Sequence, residues 1–286
     1  MTLSGLSTPH SPNWCPGCGN FGIWTGFKMA ATKSNWDNTN SVIVAGIGCH
    51  GHIVNFLSIS SFEGLHGRAL PLASGLKYVR PDLNVFVFTG DGDCLGEGGN
   101  HFFHAAKRNQ NLTVLLHNNS VYGLTTGQTS PTTSQNFHSK STPVGNYDEP
   151  FSPLALAIAT GATFVARAFA GNIAHLSEMI IKANEHQGFA FVDILHSCPT
   201  FNEETNPLYY HENTYILGKD YDPGNKALAF EKSLEWGEKK IPLGILYQAQ
   251  KPVAESEFTY FTGRSTSLLP RTPWTYYTLN RSVASA

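Results

Sequence analysis

The sequence predicts an α/β protein: a mostly parallel sheet with helices on both of its faces. Three observations carry that reading. Five short apolar runs, rich in Val, Ile, Leu and Phe, read as buried strands. Segments of helical periodicity lie between them, as βαβ units require. Each strand ends in a Gly-rich or polar stretch, and parallel sheets bind ligands at the carboxyl ends of their strands.

The first strand is SVIVAG (41–46), followed by GIGCHGH. The second is NVFVFTG (84–90), which ends in Gly and runs into GDGDCLGEGGN. EGGNHFFHAAKRN (97–109) reads as a helix, and LTVLLHN (112–118) as the third strand, followed by NNSVYGLTTGQ. TFVARAF (163–169) and FAFVDIL (189–195) are the last two strands, the latter followed by HSCPTFN. Between them Ile173, Leu176, Ile180 and Ile181 fall at i, i+3, i+7 and i+8, one face of a helix, with Gly188 placed to cap it. From Pro199 the chain turns polar and aromatic. ETNPLYYHENTY reads as a surface extension, KALAFEKSLEWGE (226–238) as a late helix, and the final thirty-odd residues as a loosely structured arm. The expected division is a ligand-binding domain over 1–200 and a C-terminal extension over 201–286, packed on that domain or on a partner.

Composition narrows the function. Of 286 residues 41% are hydrophobic, enough for a sizeable core. Only 14% are charged, against roughly 25% in ordinary soluble domains, so a partner subunit is expected to cover part of the surface. Net charge is −2 with no basic face, which argues against nucleic acid. The longest apolar region, Leu154 to Ala166, is too short to span a bilayer, so no membrane is expected. The start, MTLSGLSTPHSPNW, lacks the charged and apolar regions of a signal peptide. A cytoplasmic location with reduced thiols follows as an expectation.

Gly90 and Gly92 flank Asp91 directly after a strand. Glycines there let the backbone approach a ligand and turn N–H groups toward anionic oxygens. Asp91 offers a hard carboxylate and Asn119, 28 residues on across one crossover, an amide oxygen. That set suits Mg²⁺ shared with a substrate's phosphates. GDG followed by NN at this spacing matches the diphosphate motif of thiamine diphosphate enzymes. No GxxxxGK[ST] occurs, and the glycines do not follow the dinucleotide order. The five cysteines are Cys15, Cys18, Cys49, Cys94 and Cys198. Cys49 follows the first strand and Cys198 the last, so the fold can bring both to the CPGC pair at 15–18. Four thiolates suit structural zinc or a [4Fe–4S] cluster, and their wide separation favours iron–sulfur. A redox pair at 15 and 18 would leave Cys49 and Cys198 without a role. Cys94 reads as a small buried hydrophobe.

WCPGCGNFGI (14–23), GIGCHGHI (46–53), LHGRALPLASGLK (65–77), the GDGD segment, NNSVYGLTTGQTSPT (118–132) and CPTFN (198–202) together resemble the β subunit of 2-oxoacid:ferredoxin oxidoreductases. The resemblance implies the thiamine diphosphate-binding fold, with thiamine diphosphate, Mg²⁺ and one [4Fe–4S] cluster as cofactors. It gives Cys15, Cys18, Cys49 and Cys198 to the cluster, and Asp91, Asn119 and the Val121 carbonyl to Mg²⁺. It places Gly90, Gly92, Asp93, His66 and Thr125 at the cofactor, with His52 and His66 as candidate catalytic residues. It implies an α-type chain that supplies a Glu to the aminopyrimidine, so the present chain alone is expected to be inactive. Substrates and partners would be coenzyme A, ferredoxin and a 2-oxoacid, 2-oxoglutarate or pyruvate, giving acyl-CoA and CO₂. Two departures bear on substrate choice: many members carry lysine where this chain has His52 and Thr126. A non-redox thiamine diphosphate decarboxylase and a zinc-stabilised binding module are the rivals, and metal content separates all three.

Overall fold

The computed structural model describes residues 2–238 and 240–257. The arm expected at the C-terminus lies outside the described residues. In chain order the elements are α1 (Asn20–Ser34), β1 (Ser41–Ala45), β2 (Ser61–Glu63), α2 (Ala69–Val79), β3 (Asn84–Gly90), α3 (Gly99–Lys107) and β4 (Thr113–Asn118). A small hairpin of β5 (Val121–Tyr122) and β6 (Gln128–Thr129) follows, then α4 (Pro153–Thr160), β7 (Phe164–Phe169), α5 (Ile173–Glu185) and β8 (Ala190–Leu195). The C-terminal part adds α6 (Pro207–Asn213), β9 (Thr214–Ile216), α7 (Lys226–Ser233), β10 (Ile241–Gln248) and α8 (Ala254–Glu257).

Eight strands form one sheet in the order β2-β1-β3-β4-β8-β7-β10-β9. Every pairing is parallel except β10 on β7, which is antiparallel with a bulge between Ile245 and Tyr247. The expected mostly parallel sheet is therefore present. Its five expected strands start and end within one residue of the observed β1, β3, β4, β7 and β8. Strand β10 is not among them, because Pro242 and Gly244 interrupt its apolar run and read as turn residues.

Successive strand residues feed opposite cores, as the pleat requires. Phe86, Phe88, Leu115, Val192 and Ile194 face α1 and α5. Val85, Val87, Val114, Leu116 and Phe191 face α2, α3 and α4. Helix α1 buries Ile23, Phe27, Ala30 and Ala31 on that first side. It ends at Asn35, whose left-handed backbone (φ 55°) turns its N–H back to the Ala31 carbonyl. The apolar run from Leu154 to Ala166 divides in two. Ser152 caps α4 by accepting the Ala155 N–H, Pro153 opens it, and Gly161 (φ 104°) ends it before β7 begins. Among the described residues no helix is long and apolar enough to cross a membrane.

From β1 the chain first moves outward to β2, then crosses back to β3 on the other side of β1. The direction of winding thus reverses between β1 and β3. In open parallel sheets that is where a crevice opens beyond the carboxyl ends of the strands.

Candidate functional site

A cleft lies at that crevice. Ile47, Gly48, Cys49 and His50 line it from the β1 end, Gly90 to Asp93 from the β3 end, and His117, Asn119 and Val121 to Thr125 from the β4 end. His196 enters from the β8 end, Asn20 from the start of α1, and His66 from the loop before α2.

Asp91 and Asp93 are both buried but differ in their partners. Ser130 Oγ donates to Asp91 Oδ2 at 2.5 Å and Thr132 Oγ1 donates to the same oxygen at 2.7 Å. The Gly92 N–H also donates to this carboxylate. Burial drives the Asp91 pKa above the usual carboxylate range, although both hydroxyls oppose it. An adjacent divalent cation would reverse that preference. Asp93 is tied into the scaffold. Its Oδ1 accepts the Gly67 N–H at 2.7 Å and the Ile47 N–H at 3.2 Å, and Oδ2 accepts from Thr89 Oγ1 at 2.5 Å. His50 Nε2 is 3.3 Å from Oδ2. Burial would raise the Asp93 carboxyl, but His50, Thr89 and the Gly67 N–H outweigh it and hold its pKa down to about 2. Gly46 permits this arrangement, since a Cβ there would fall on the Asp93 carboxylate.

The other wall is cysteine. The chain at Gly17 turns with φ 83°, and the Gly17 carbonyl accepts from Ser197 Oγ at 3.2 Å. The Gly19 N–H donates to the Ser197 carbonyl at 3.2 Å, so the CPGC loop is fastened beside Cys198. Trp14 Nε1 donates to the Cys49 carbonyl at 2.7 Å and brings in the third segment. The four thiols are close enough to repel when charged, which raises the pKa of Cys18, Cys49 and Cys198. Burial is the larger cause, and together they push Cys18 up to about 12 and Cys49 to about 11. The Asn20 N–H donates to the Cys18 sulfur, and the Thr200 and Phe201 N–H groups donate to Cys198. Gly123 separates this wall from the carboxylate wall, and a Cβ there would sit 3.6 Å from both Cys49 Sγ and Cys198 Sγ. Among the described residues no three His, Cys, Asp or Glu side chains converge on one ion-sized point.

The structure brings Cys15, Cys18, Cys49 and Cys198 together and puts Gly90, Asp91, Gly92, Asp93, Asn119, Val121, Thr125 and His66 at one cleft. His66 stacks on Tyr122 with ring centroids 6.0 Å apart, and its Nδ1 is 3.6 Å from Asp93 Oδ1. Thr125 Oγ1 donates to Gln128 Oε1 at 2.6 Å. His52 is not among the residues that line this cleft; its Nδ1 lies 3.4 Å from Asn13 Oδ1. Cys94 is buried, as expected, with its thiol pushed far up by desolvation. Sequence reading missed Asn20, His50, His117 and His196. His117 and Asn20 meet at 2.7 Å (Nδ1 to Oδ1), and burial drives His117 well below the usual histidine range and His196 down to about 4. Each of the three histidines sits at or just past the carboxyl end of a strand, and that position was the available signal.

A ligand cleft at the winding reversal, walled by a GDG turn and a cysteine cradle, defines a thiamine diphosphate-dependent protein. Comparison with known proteins agrees: residues 46–194, just over half of the chain, match the family described as thiamine pyrophosphate enzyme, C-terminal TPP binding domain. Residues 198–262 match the family described for the C-terminal part of the pyruvate ferredoxin oxidoreductase beta chain. The chain is 45% identical over 254 residues to a 2-oxoacid:ferredoxin oxidoreductase subunit beta from Sulfolobus sp, spanning 84% of this chain and 83% of that one. It is 44% identical over 187 residues to the 2-oxoglutarate synthase subunit KorB of Archaeoglobus fulgidus, spanning 65% and 70%. The solved 2-oxoglutarate:ferredoxin oxidoreductase from Magnetococcus marinus, with 2-oxoglutarate, coenzyme A and succinyl-CoA bound, superposes with a TM-score of 0.89 at 37% identity, covering 92% of this chain and 90% of that one. The chain belongs to the β subunits of 2-oxoacid:ferredoxin oxidoreductases. It is thus a thiamine diphosphate-binding component of a multi-subunit oxidoreductase and works with an α subunit.

Proposed function

We propose that this chain holds thiamine diphosphate with Mg²⁺ on the aspartate wall and one [4Fe–4S] cluster on the cysteine wall. With its α-type partner it oxidises a 2-oxoacid to acyl-CoA and CO₂ and hands the electrons to ferredoxin. One observation carries this: Cys49 and Asp91, from the two walls, line the same cleft. In this reading the Asp91 carboxylate, the Asn119 amide oxygen and the Val121 carbonyl would hold Mg²⁺, an oxygen set suited to that hard cation. Gly90 and Gly92 leave the backbone bare of side chains beside the diphosphate, while their own N–H groups go to His50 Nε2 and the Asp91 carboxylate. Bound thiamine diphosphate supplies the carbon nucleophile for the keto group and takes up the electrons that CO₂ leaves behind, and the cluster supplies a one-electron acceptor. The protein's own share is placement. Backbone N–H groups on the Cys18 and Cys198 sulfurs set the cluster's potential. Asp93 fixes the β1 and His66 loops, and His66, stacked on Tyr122 at the cleft, is positioned to carry a proton at the cofactor edge. Thr125 lines the same edge.

The relatives' names favour 2-oxoglutarate over pyruvate as the substrate. The functional division falls near residue 200, and the segment beyond it supports the first by adding β10 to the β7 edge. Reduced thiols at the cysteine wall suit the cytoplasm. The test is co-expression with the α-type chain, then a panel of 2-oxoacids with coenzyme A and ferredoxin or a viologen. Acceptor reduction that needs coenzyme A, with the highest kcat/KM for 2-oxoglutarate, is the expected result. CO₂ release without acceptor reduction would identify a non-redox decarboxylase instead.

A further inference from the structure

A line of buried polar groups runs from Asp91 across three more strands to the C-terminal segment. Thr132 Oγ1 lies 2.7 Å from Asp91 Oδ2 and 3.0 Å from Asn118 Oδ1. Asn118 Nδ2 donates to Asp193 Oδ1 at 3.0 Å. Arg167 Nε donates to Asp193 Oδ2 at 2.9 Å. The Arg167 guanidinium lies 5.3 Å from the Trp236 ring centre. Asn118, Asp193 and Arg167 are 2%, 0% and 1% exposed. The five groups come from the β3 end, the loop after β6, β4, β8 and β7, and Arg167 and Asp193 face each other in strand register.

Burying an Arg–Asp pair is costly and does little for net stability compared with apolar residues of the same size. A pair kept at that depth calls for another role, and its hydrogen bonds supply one. An amide has one donor end and one acceptor end. Asp193, joined to Arg167, presents only an acceptor to Asn118, so the NH₂ must point at Asp193 and the carbonyl oxygen at Thr132. The reversed amide would set oxygen against carboxylate. Thr132 is thereby held between two fixed acceptors, with its single hydroxyl proton shared between them. Together with Ser130 it pins Asp91 Oδ2 and so fixes the orientation of the carboxylate at the cleft.

We propose that Arg167 and Asp193, acting through Asn118 and Thr132, are positioning residues for the metal-binding carboxylate Asp91. The inference rests on Asp91 binding Mg²⁺ as read above. Partners one bond removed from a metal ligand commonly change metal affinity ~10–100-fold when removed. The test uses the complex of this chain with its α-type partner. Thiamine diphosphate binding is followed by calorimetry across a Mg²⁺ titration, and thermal unfolding is recorded alongside. The first variant is Arg167→Met with Asp193→Leu, which removes both buried charges at once and keeps the volume. The second is Thr132→Val, a change of nearly equal size that removes only the hydroxyl, with Thr132→Ser as the conservative control.

In both variants the Mg²⁺ concentration for half-maximal binding should rise about tenfold. Thr132→Ser should stay near wild type. Combining the two variants should add little to either alone, because they act along one line. A Mg²⁺ requirement within twofold of wild type in Thr132→Val overturns the proposal, whatever happens to the Arg167–Asp193 variant's fold. So does a fall in melting temperature of the double variant with its Mg²⁺ requirement unmoved. If the wild-type complex binds thiamine diphosphate without Mg²⁺, the metal reading of Asp91 fails, and this proposal with it. If wild type needs Mg²⁺ and the variants need no more, only the proposal fails.

Discussion

The two walls of the cleft are built on opposite terms. The aspartate wall is organised before any ligand arrives: two hydroxyls hold Asp91, while two backbone N–H groups and Thr89 hold Asp93. The cysteine wall is not. Its loops are fastened by backbone bonds and Trp14, but its thiols are pushed up by burial and by one another, toward the neutral form that binds no metal. On one wall hydrogen bonds fix both carboxylates and keep Asp93 charged, while burial opposes the charge of Asp91 as it opposes that of the thiols on the other wall. The same sheet edge thus carries one wall fixed by side-chain hydrogen bonds and one fastened through its backbone and Trp14.

The largest expected effect breaks the aspartate wall. Asp91→Ala should abolish Mg²⁺-dependent thiamine diphosphate binding and leave the iron in place, because the cluster's ligands lie on the other wall. The melting temperature without cofactor should not fall, since burial already opposes the charge that is removed. Unchanged thiamine diphosphate affinity would refute the assignment.

The next effect probes the cysteine wall. Thiols whose folded pKa is raised contribute stability below the unfolded value and lose it as pH climbs above that value. The iron-free protein should therefore weaken from about pH 9 upward, as thiols of the unfolded chain ionise while Cys18 and Cys49 in the folded chain resist ionisation. The iron-loaded protein should not follow that curve, because its thiolates are already bonded. Denaturant midpoints of both forms between pH 7 and 10 make the comparison, and parallel curves would contradict it.

Asp93 gives a smaller and opposite pH signature. Its folded pKa is lowered from 3.8 to about 2, so its stabilisation is present above the unfolded value and is lost as pH falls toward the folded one. Asp93→Asn should cost about 2–3 kcal/mol near pH 7, with the penalty shrinking below pH 4. A penalty that is equal at pH 7 and pH 3 would show that the carboxylate's charge is not what holds these loops.

His52 should show the least. It stands outside the cleft lining with one long contact to Asn13, so His52→Gln should keep kcat/KM within about twofold and preserve the pH profile. A large loss of kcat/KM with unchanged folding would return His52 to the substrate site.

Much of this is legible in the sequence because local pattern and global fold agree. The strands β1, β3, β4, β7 and β8 are unbroken apolar runs, and the two faces of each feed two cores. The GDG turn, Cys49 and Cys198 are read directly from what stands after a strand, and Cys15 and Cys18 from their CPGC spacing before α1. Other features depend on neighbours that no local pattern contains. Helix α1 is hidden because its outer residues Phe21 and Trp24 are also apolar and pack on the core, so no polar stripe marks it. Strand β10 is hidden by Pro242, which pairs in parallel with Tyr215 of β9, and by Gly244, which opens the antiparallel pairing with β7. The pairing of Asn20 with His117 joins residues 97 apart in sequence. His52 is placed near the substrate only by the resemblance, through the lysine that many members carry there; in the fold it lies in the short helical turn Gly51–Asn55.

The account's central claim is that the cysteine wall holds one [4Fe–4S] cluster. Iron, acid-labile sulfide and zinc measured together on the anaerobically purified complex test it most directly. The account predicts about four irons and about four sulfides per copy of this chain, lost together in Cys198→Ser and kept in Cys94→Ala. Stoichiometric zinc without sulfide, or iron that survives Cys198→Ser and leaves with Cys94→Ala, would contradict it.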